Sequence, residues 1–188
     1  MARATHAAWR PRVAIGVVAA GALLLAACLP TRPVRVPDAA PLEFVIVRHA
    51  EKADDDPRDP SLSATGAARA QRLAASLAAS LAASPLVAVY ATGYRRTQQT
   101  AAPVAAGHGL AVSRYDARQD ATAFAAVLRQ RHAGDTVLVV GHSNTVPAIA
   151  AALCGCIVAP IGEDEFDRLL RVRIAAGGRA KLRDSRQP

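Results

Sequence analysis

Four short segments rich in apolar and β-branched residues recur along the chain, and each ends on polar residues. They read LEFVIVR at 42–48, LVAVYAT at 86–92, LAVSRYD at 110–116 and TVLVVGH at 136–142. Such runs, lacking strict apolar-polar alternation, are typical of strands that are buried on both faces of a parallel sheet. The pattern therefore predicts four strands of a parallel sheet.

Segments with helical periodicity separate these strands. After Ser63, which suits an N-cap, Leu73, Leu77 and Leu81 recur at every fourth position and share one face of a helix that ends at Pro85. Three further helices are predicted, over 95–109, 121–134 and 145–155.

The last part of the chain alternates apolar and polar residues over 169–184 and turns at Gly177-Gly178. This pattern predicts an antiparallel hairpin at the edge of the sheet. Because strands and helices alternate before it, the predicted fold class is three-layer α/β/α, with a mostly parallel sheet and an antiparallel edge.

The first 28 residues differ from the rest of the sequence. A basic start is followed by an apolar run too short to span a bilayer and by Leu25-Ala26-Ala27-Cys28, which resembles a bacterial lipobox. We predict a lipoprotein signal peptide over 1–27, lipidation of Cys28 and a proline-rich tether over 28–41. The folded domain, 42–188, then faces the periplasm, and Leu29 favours the outer membrane.

Net charge adds little to this interpretation. The chain carries a formal charge of +8 without a basic stripe interleaved with aromatic residues. This favours an anionic substrate or an anionic membrane surface over nucleic acid.

Cys154 and Cys156 match no zinc spacing, and because a C-x-C bridge closes a very tight loop, we expect two buried thiols.

Polar candidates follow the predicted strands and so belong to one edge of the sheet, where such folds bind ligands. Arg48 and His49 end the first strand, Arg96 follows the second, Asp116 ends the third and His142 the fourth. Two guanidinium groups match phosphate oxygens, a neutral imidazole is a nucleophile, and a second, protonated imidazole stabilises developing negative charge. Such a set performs phosphoryl transfer without a metal or cofactor.

The motifs VRHAEK, LSATGAARAQRLA, YATGYRRTQQTA and VLVVGHSN occur in this order over about 43–175. Together they resemble the histidine phosphatase superfamily, with its phosphoglycerate mutase-like fold, and in particular an RHAE-type subgroup. The resemblance implies that His49 takes the phosphoryl group and that Arg48, Arg96 and His142 complete the phosphate pocket. Arg95 is then a surface residue.

The proton donor is less well defined by the sequence. Ser143 follows His142, where the acid-phosphatase branch of the family has an aspartate. Asp116 is therefore the first candidate for general acid, and Asp120 and Glu51 are alternatives. Ser143 itself lies at the start of a predicted helix, where it would cap that helix or donate to phosphate.

These expectations together describe a metal-independent, lipid-anchored phosphoric monoester hydrolase of the histidine acid phosphatase type. Its substrate is a phosphomonoester, such as an envelope sugar phosphate, or a protein phosphohistidine, with Lys52 at the mouth of the site. Two alternatives are a phosphoglycerate-type mutase, disfavoured by the short stretch between Arg96 and His142, and a non-catalytic phospho-ligand-binding lipoprotein of the envelope.

Overall fold

The computed structural model describes residues 40–82 and 84–188. The predicted signal peptide, Cys28 and all but the last two residues of the predicted tether lie outside the described residues. Within the described part, no helix is both long and apolar enough to cross a membrane.

One six-stranded sheet forms the centre of the domain, in the order β3-β2-β4-β1-β5-β6. The strands β3, β2, β4 and β1 run parallel, and β5 pairs antiparallel with both β1 and β6, as the sequence predicts for the edge. The strands are β1 (Leu42–Arg48), β2 (Leu86–Thr92), β3 (Val112–Tyr115), β4 (Thr136–Gly141), β5 (Arg168–Ile174) and β6 (Ala180–Arg186).

Four helices connect and cover these strands. The hydroxyl of Ser63 accepts the Gly66 N–H and begins the first helix, which ends at Ser80, five residues before Pro85. Asp120 caps the third helix in the same way. The helices are α1 (Ala64–Ser80), α2 (Arg95–Gly107), α3 (Ala121–Arg131) and α4 (Thr145–Cys154).

Both faces of the central strands β1 and β4 are buried, which explains their uninterrupted apolar runs. Alternate residues of β1 point to opposite sides: Phe44 packs with residues of α3 and α4, while Val45 packs with Leu73 and Leu77 of α1. The predicted three-layer α/β/α class is confirmed, and the layers place the carboxyl ends of the parallel strands along one edge.

The expectation of two buried thiols is wrong. Cys154 and Cys156 are joined by a disulfide, and neither is fully buried. Gly155 adopts a left-handed conformation, with φ of 63°, and brings the two Cα atoms to 5.2 Å, a separation that a disulfide spans. The glycine between the cysteines therefore removes the difficulty that a tight loop poses.

Candidate active site

The carboxyl ends of the inner strands enclose a cavity of about 420 Å³. The register of β1 and β4 brings the residues that follow these strands together. Arg48 pairs with Gly141, and the His49 amide donates to the Gly141 carbonyl. Residues from loops on all sides complete the wall. The lining comprises Arg48, His49, Lys52, Pro57, Arg58, Pro60, Tyr94, Arg96, Ala117, Arg118, His142, Ser143, Asn144, Thr145 and Glu163.

His49 is held in a defined tautomer. Its Nδ1 lies 2.8 Å from the carbonyl oxygen of Ala50, and because a carbonyl only accepts, Nδ1 carries the proton. The lone pair is then on Nε2. The Ala50 amide donates to the hydroxyl of Thr100, which in turn donates to the Arg96 carbonyl. These bonds join the end of β1 to α2 and fix the direction of the His49 ring.

Close packing behind His49 adds to this rigidity. A Cβ added to Gly66 of α1 would lie 2.2 Å from the Glu51 carbonyl oxygen, so only glycine allows the helix to approach the chain after β1. Glu51 forms a bidentate pair with Arg69 of the same helix. The segment that carries the histidine is therefore fastened to α1 as well as to α2.

Arg48 is clamped by the loop between α4 and β5. Its Nη1 donates to the carbonyl oxygens of Gly162 and Glu163, both at 2.7 Å, and to that of Glu165 at 3.3 Å. The Phe166 ring lies under the guanidinium, 4.2 Å from Cζ. Nε is buried and has no partner within the described residues. The loop carbonyls and the Phe166 ring therefore hold a permanently charged side chain at the wall of the cavity, where it is suited to an anion.

Arg96 faces the cavity from the start of α2. Its Nη2 lies 3.4 Å from Nδ1 of His142, its Nη1 lies 3.7 Å from the Asp59 carboxylate, and its Cζ lies 4.6 Å from the centre of the Tyr94 ring. Arg95, in contrast, is exposed and pairs with Asp55. The structure therefore separates the two neighbouring arginines as the sequence predicts.

His142 completes the group, with its ring centre 5.4 Å from that of His49. Because a guanidinium only donates, Nδ1 of His142 accepts from Arg96 and the ring N–H lies on Nε2. That nitrogen is 3.0 Å from the Thr92 hydroxyl, which is itself 2.8 Å from the hydroxyl of Thr97. Two buried threonines thus orient the second histidine.

Both histidines are neutral at pH 7 in the ligand-free protein. Burial, reinforced by Arg96, His142 and Arg48, lowers the pKa of His49 to about 3. Burial and the two arginines lower the pKa of His142 to about 4. Neutrality suits a nucleophile. The protonated second imidazole expected from the sequence is opposed by burial and by the two nearby cations unless an anion binds beside it.

Ser143 also lines the cavity, at the entrance to α4. The N-cap of that helix is Asn144, which makes no side-chain capping bond, and the hydroxyl of Thr145 instead accepts the His142 amide. Ser143 therefore borders the space where an oxyanion would bind, while the capping function expected of it is not seen.

None of the three predicted general acids lines the cavity. Asp116 is exposed, and its carboxylate accepts the backbone amide of Arg118. Asp120 caps α3, and Glu51 is engaged by Arg69. Asp116 is at the predicted edge of the sheet, but β3 is the outermost strand there, and its end lies beside adjoining hollows rather than in the cavity.

Glu163 is the carboxylate that sequence reasoning missed. Within the part of the chain that the structure describes, it is the only acidic residue lining the cavity. Its side chain is 91% exposed and lies 3.9 Å from Arg48 Nη2. It comes from an irregular loop without periodic pattern, so the sequence held no signal beyond a run of acids before β5. Within the described residues, no cluster of three or more potential metal ligands occurs.

Comparison with known proteins agrees with this geometry. The fold resembles that of the protein histidine phosphatase SixA complexed with tungstate, at 19% identity over 77% of this chain and 97% of that one, with a TM-score of 0.61. It also resembles that of a mycobacterial glucosyl-3-phosphoglycerate phosphatase complexed with VO3, at 16% identity over 78% of this chain and 99% of that one, with a TM-score of 0.60. YhfR of Bacillus stearothermophilus is 17% identical over 75% of this chain and 95% of its own, with a TM-score of 0.60.

A family model matches part of the sequence. Among curated proteins, none matches the chain. Residues 44–121, which include Arg48, His49 and Arg96, match the family model of the histidine phosphatase superfamily, branch 1. In its fold and in the order of its four motifs, the chain is similar to members of the histidine phosphatase superfamily.

Proposed function

We propose that this protein is a phosphatase that hydrolyses a phosphomonoester through a phosphohistidine intermediate on His49. One observation carries the proposal: two arginines and two histidines from three separate strand ends line a single cavity, and the tautomer of His49 leaves the Nε2 lone pair free. The two structural neighbours described as phosphatases, one bound to tungstate and one to VO3, support it.

In the first step, Nε2 of His49 attacks phosphorus, and the bond from phosphorus to the leaving oxygen breaks. The guanidinium groups of Arg48 and Arg96 stabilise the phosphoryl oxygens, where charge is concentrated in the transition state. A bound dianion favours the protonated form of His142, so this ring takes up a proton on Nδ1 and becomes a further donor. The expected protonated imidazole then belongs to the substrate complex.

The leaving oxygen requires a proton unless it is a weak base. We assign this function to Glu163 in place of Asp116, because its exposed side chain can turn into the cavity that it borders. In the second step, water attacks the phosphohistidine, the nitrogen–phosphorus bond breaks, and the water proton passes to the carboxylate. His49 returns to its neutral form and inorganic phosphate leaves.

The short chain between Arg96 and His142 favours hydrolysis over mutase chemistry. The chain between Arg96 and His142 is occupied by α2, β3, α3 and β4 with short connections, so it offers no insert to close over a substrate. The cavity therefore stays accessible to water between the two steps. A protein phosphohistidine remains the alternative substrate, since its imidazole leaving group needs less help from an acid.

Turnover of a panel of phosphomonoesters by the purified protein, with His49→Ala as the control, tests the proposal. Hydrolysis that disappears in a folded His49→Ala variant supports it. Equal hydrolysis by the variant would exclude the nucleophile. Binding of phosphate without turnover of any substrate would instead support the alternative of a phospho-ligand-binding protein.

We also propose that Cys28 carries a lipid anchor and that the domain faces the periplasm. The support is the order of basic, apolar and small residues before Cys28 in the sequence. Incorporation of radiolabelled palmitate in a bacterial host, lost in Cys28→Ser, is the expected result. Equal labelling of that variant, or none in the wild type, would contradict the anchor.

A further inference from the structure

Three cationic side chains that the proposed chemistry does not use lie around the same cavity. Lys52, Arg58 and Arg118 line it together with Arg48 and Arg96, and all three are exposed. They come from two loops: Lys52 and Arg58 lie between β1 and α1, and Arg118 lies between β3 and α3. Within the described residues, none of the three side chains forms an ion pair.

Acidic residues close to these cations in sequence are directed elsewhere. Asp55 accepts from the amide and hydroxyl of Ser61, and Asp56 accepts the amide of Arg58. Asp116 accepts the amide of Arg118. These carboxylates fix the turns of the loops, so the loops are ordered while their cationic side chains remain available.

The charge of a single phosphoryl group does not account for the lining. A phosphomonoester carries a charge of about −1.5 to −2 near neutral pH, which Arg48 and Arg96 match. Five cationic side chains face one carboxylate, Glu163, in the cavity wall. Once Glu163 and a phosphoryl dianion are deducted, about two positive charges are left for another anion. Like charges gathered around one cavity raise its potential for anionic ligands.

The size of the cavity leads to the same conclusion. Its volume of about 420 Å³ falls within the range of about 300–1,000 Å³ that is usual for sites of small organic ligands. Space therefore remains beyond the phosphoryl group for a further part of the substrate. That space is bordered by charged side chains rather than by an apolar surface.

Building on the proposed phosphatase function, we propose that Lys52, Arg58 and Arg118 form a second anion site at the mouth of the cavity. The substrate then carries a second phosphate or carboxylate, separated by a short spacer from the phosphoryl group that His49 receives. Arg58 and Arg118 can hold such a group by paired N–H donors, and Lys52 adds a mobile ammonium.

Equilibrium binding of non-hydrolysable phosphonates tests this site independently of turnover. Calorimetry on the purified protein compares propylphosphonate with the bisphosphonates of propane, butane and pentane, which carry a phosphonate at each end. The best-fitting bisphosphonate should bind about 10- to 100-fold more tightly, as expected for added charge-assisted contacts. A dependence on spacer length shows that two defined sites are bridged.

Two triple variants that remove the same charge separate this site from general attraction to a basic protein. Lys52→Gln with Arg58→Gln and Arg118→Gln should reduce the preference to less than about threefold. The control variant, which should keep the preference, combines Arg173→Gln, Lys181→Gln and Arg183→Gln on the exposed hairpin of β5 and β6. Thermal melting checks that both variants are folded.

Each outcome is decisive. Equal affinity of the wild type for mono- and bisphosphonates, or equal loss of the preference in both triple variants, overturns the second site and leaves the phosphatase proposal intact. Failure of every phosphonate to bind overturns both, because the inner phosphate pocket would then be absent as well.

Discussion

The hydroxyl of Thr92 lies 3.0 Å from Nε2 of His142, and both groups are buried at the end of their strands. This contact joins β2 to β4 below the cavity. It fixes the direction in which the second histidine presents Nδ1, the nitrogen nearest to Arg96. The pocket therefore depends on a residue that does not itself line the cavity.

Thr92→Val keeps the shape of the side chain and removes the hydroxyl. A buried partner left unpaired costs about 1–3 kcal/mol, which corresponds to a loss of kcat/KM of about 5- to 160-fold. Thr92→Ser keeps the hydroxyl and should retain activity within about threefold. If both variants lose activity equally, packing of the methyl group rather than orientation of His142 is responsible.

The protonation of the two histidines can be observed directly. Since burial lowers the pKa of His49 to about 3 and that of His142 to about 4, both rings should be neutral at pH 5.5 in ¹⁵N-histidine NMR spectra. His49 should carry its proton on Nδ1. Addition of inorganic phosphate should protonate His142. Titration of either ring near pH 6.5 in the free protein would contradict the electrostatic description of the pocket.

The same lowered pKa values predict how stability depends on pH. Unfolded histidines take up protons below about pH 6.5, whereas these two folded histidines resist protonation until about pH 4 and 3. The unfolded state therefore binds more protons in this window, and the free energy of unfolding falls as the pH is lowered. Urea unfolding at pH 7.5 and 5.5, in phosphate-free buffer, should show this fall, and His142→Gln should reduce it. An unchanged slope in that variant would contradict the prediction.

Glu163 and Asp116 make different predictions for leaving groups of different basicity. General acids contribute typically about 10²- to 10⁴-fold, so Glu163→Gln should lower kcat for an alkyl phosphate at least tenfold and for a nitrophenyl phosphate less than about threefold. Asp116→Asn, the matched control, should change neither by more than about twofold, because its side chain lies outside the cavity. The reverse pattern would restore Asp116 as the acid.

The disulfide predicts that protein exported to the periplasm has no reactive thiol at Cys154 or Cys156. A thiol reagent should detect two thiols only after reduction and unfolding, once Cys28 is replaced by serine. Because the closed loop is very short, reduction should lower the free energy of unfolding by no more than about 2 kcal/mol. Two thiols without reductant would show that the bond does not form.

Many of the strands and helices can be predicted from local patterns in the sequence. Continuous apolar runs predict the buried strands because helices cover both faces of the sheet, and the same reasoning places Arg48 and His49 at the ligand-binding edge. Ser63 is recognisable as a cap because its hydroxyl acts within its own turn. Such features depend on neighbours in sequence, which a sequence displays.

The parts that were not predicted depend on strand order and on distant contacts. Asp116 is at the correct edge, but the sequence does not reveal that β3 is the outer strand. Glu163 reaches the cavity because Arg48, more than a hundred residues earlier, binds the carbonyls of its loop. The threonines behind His142 likewise belong to β2 and α2.

The central claim is that Nε2 of His49 receives the phosphoryl group. Rapid acid-free quenching of the protein during turnover, followed by mass spectrometry under alkaline conditions, measures this most directly. A phosphoryl group on the peptide containing His49, which disappears in His49→Ala and decays at the rate of turnover, is the result we expect. A phosphorylated peptide that instead contains His142, or turnover with no phosphorylated histidine at any time, would contradict the mechanism.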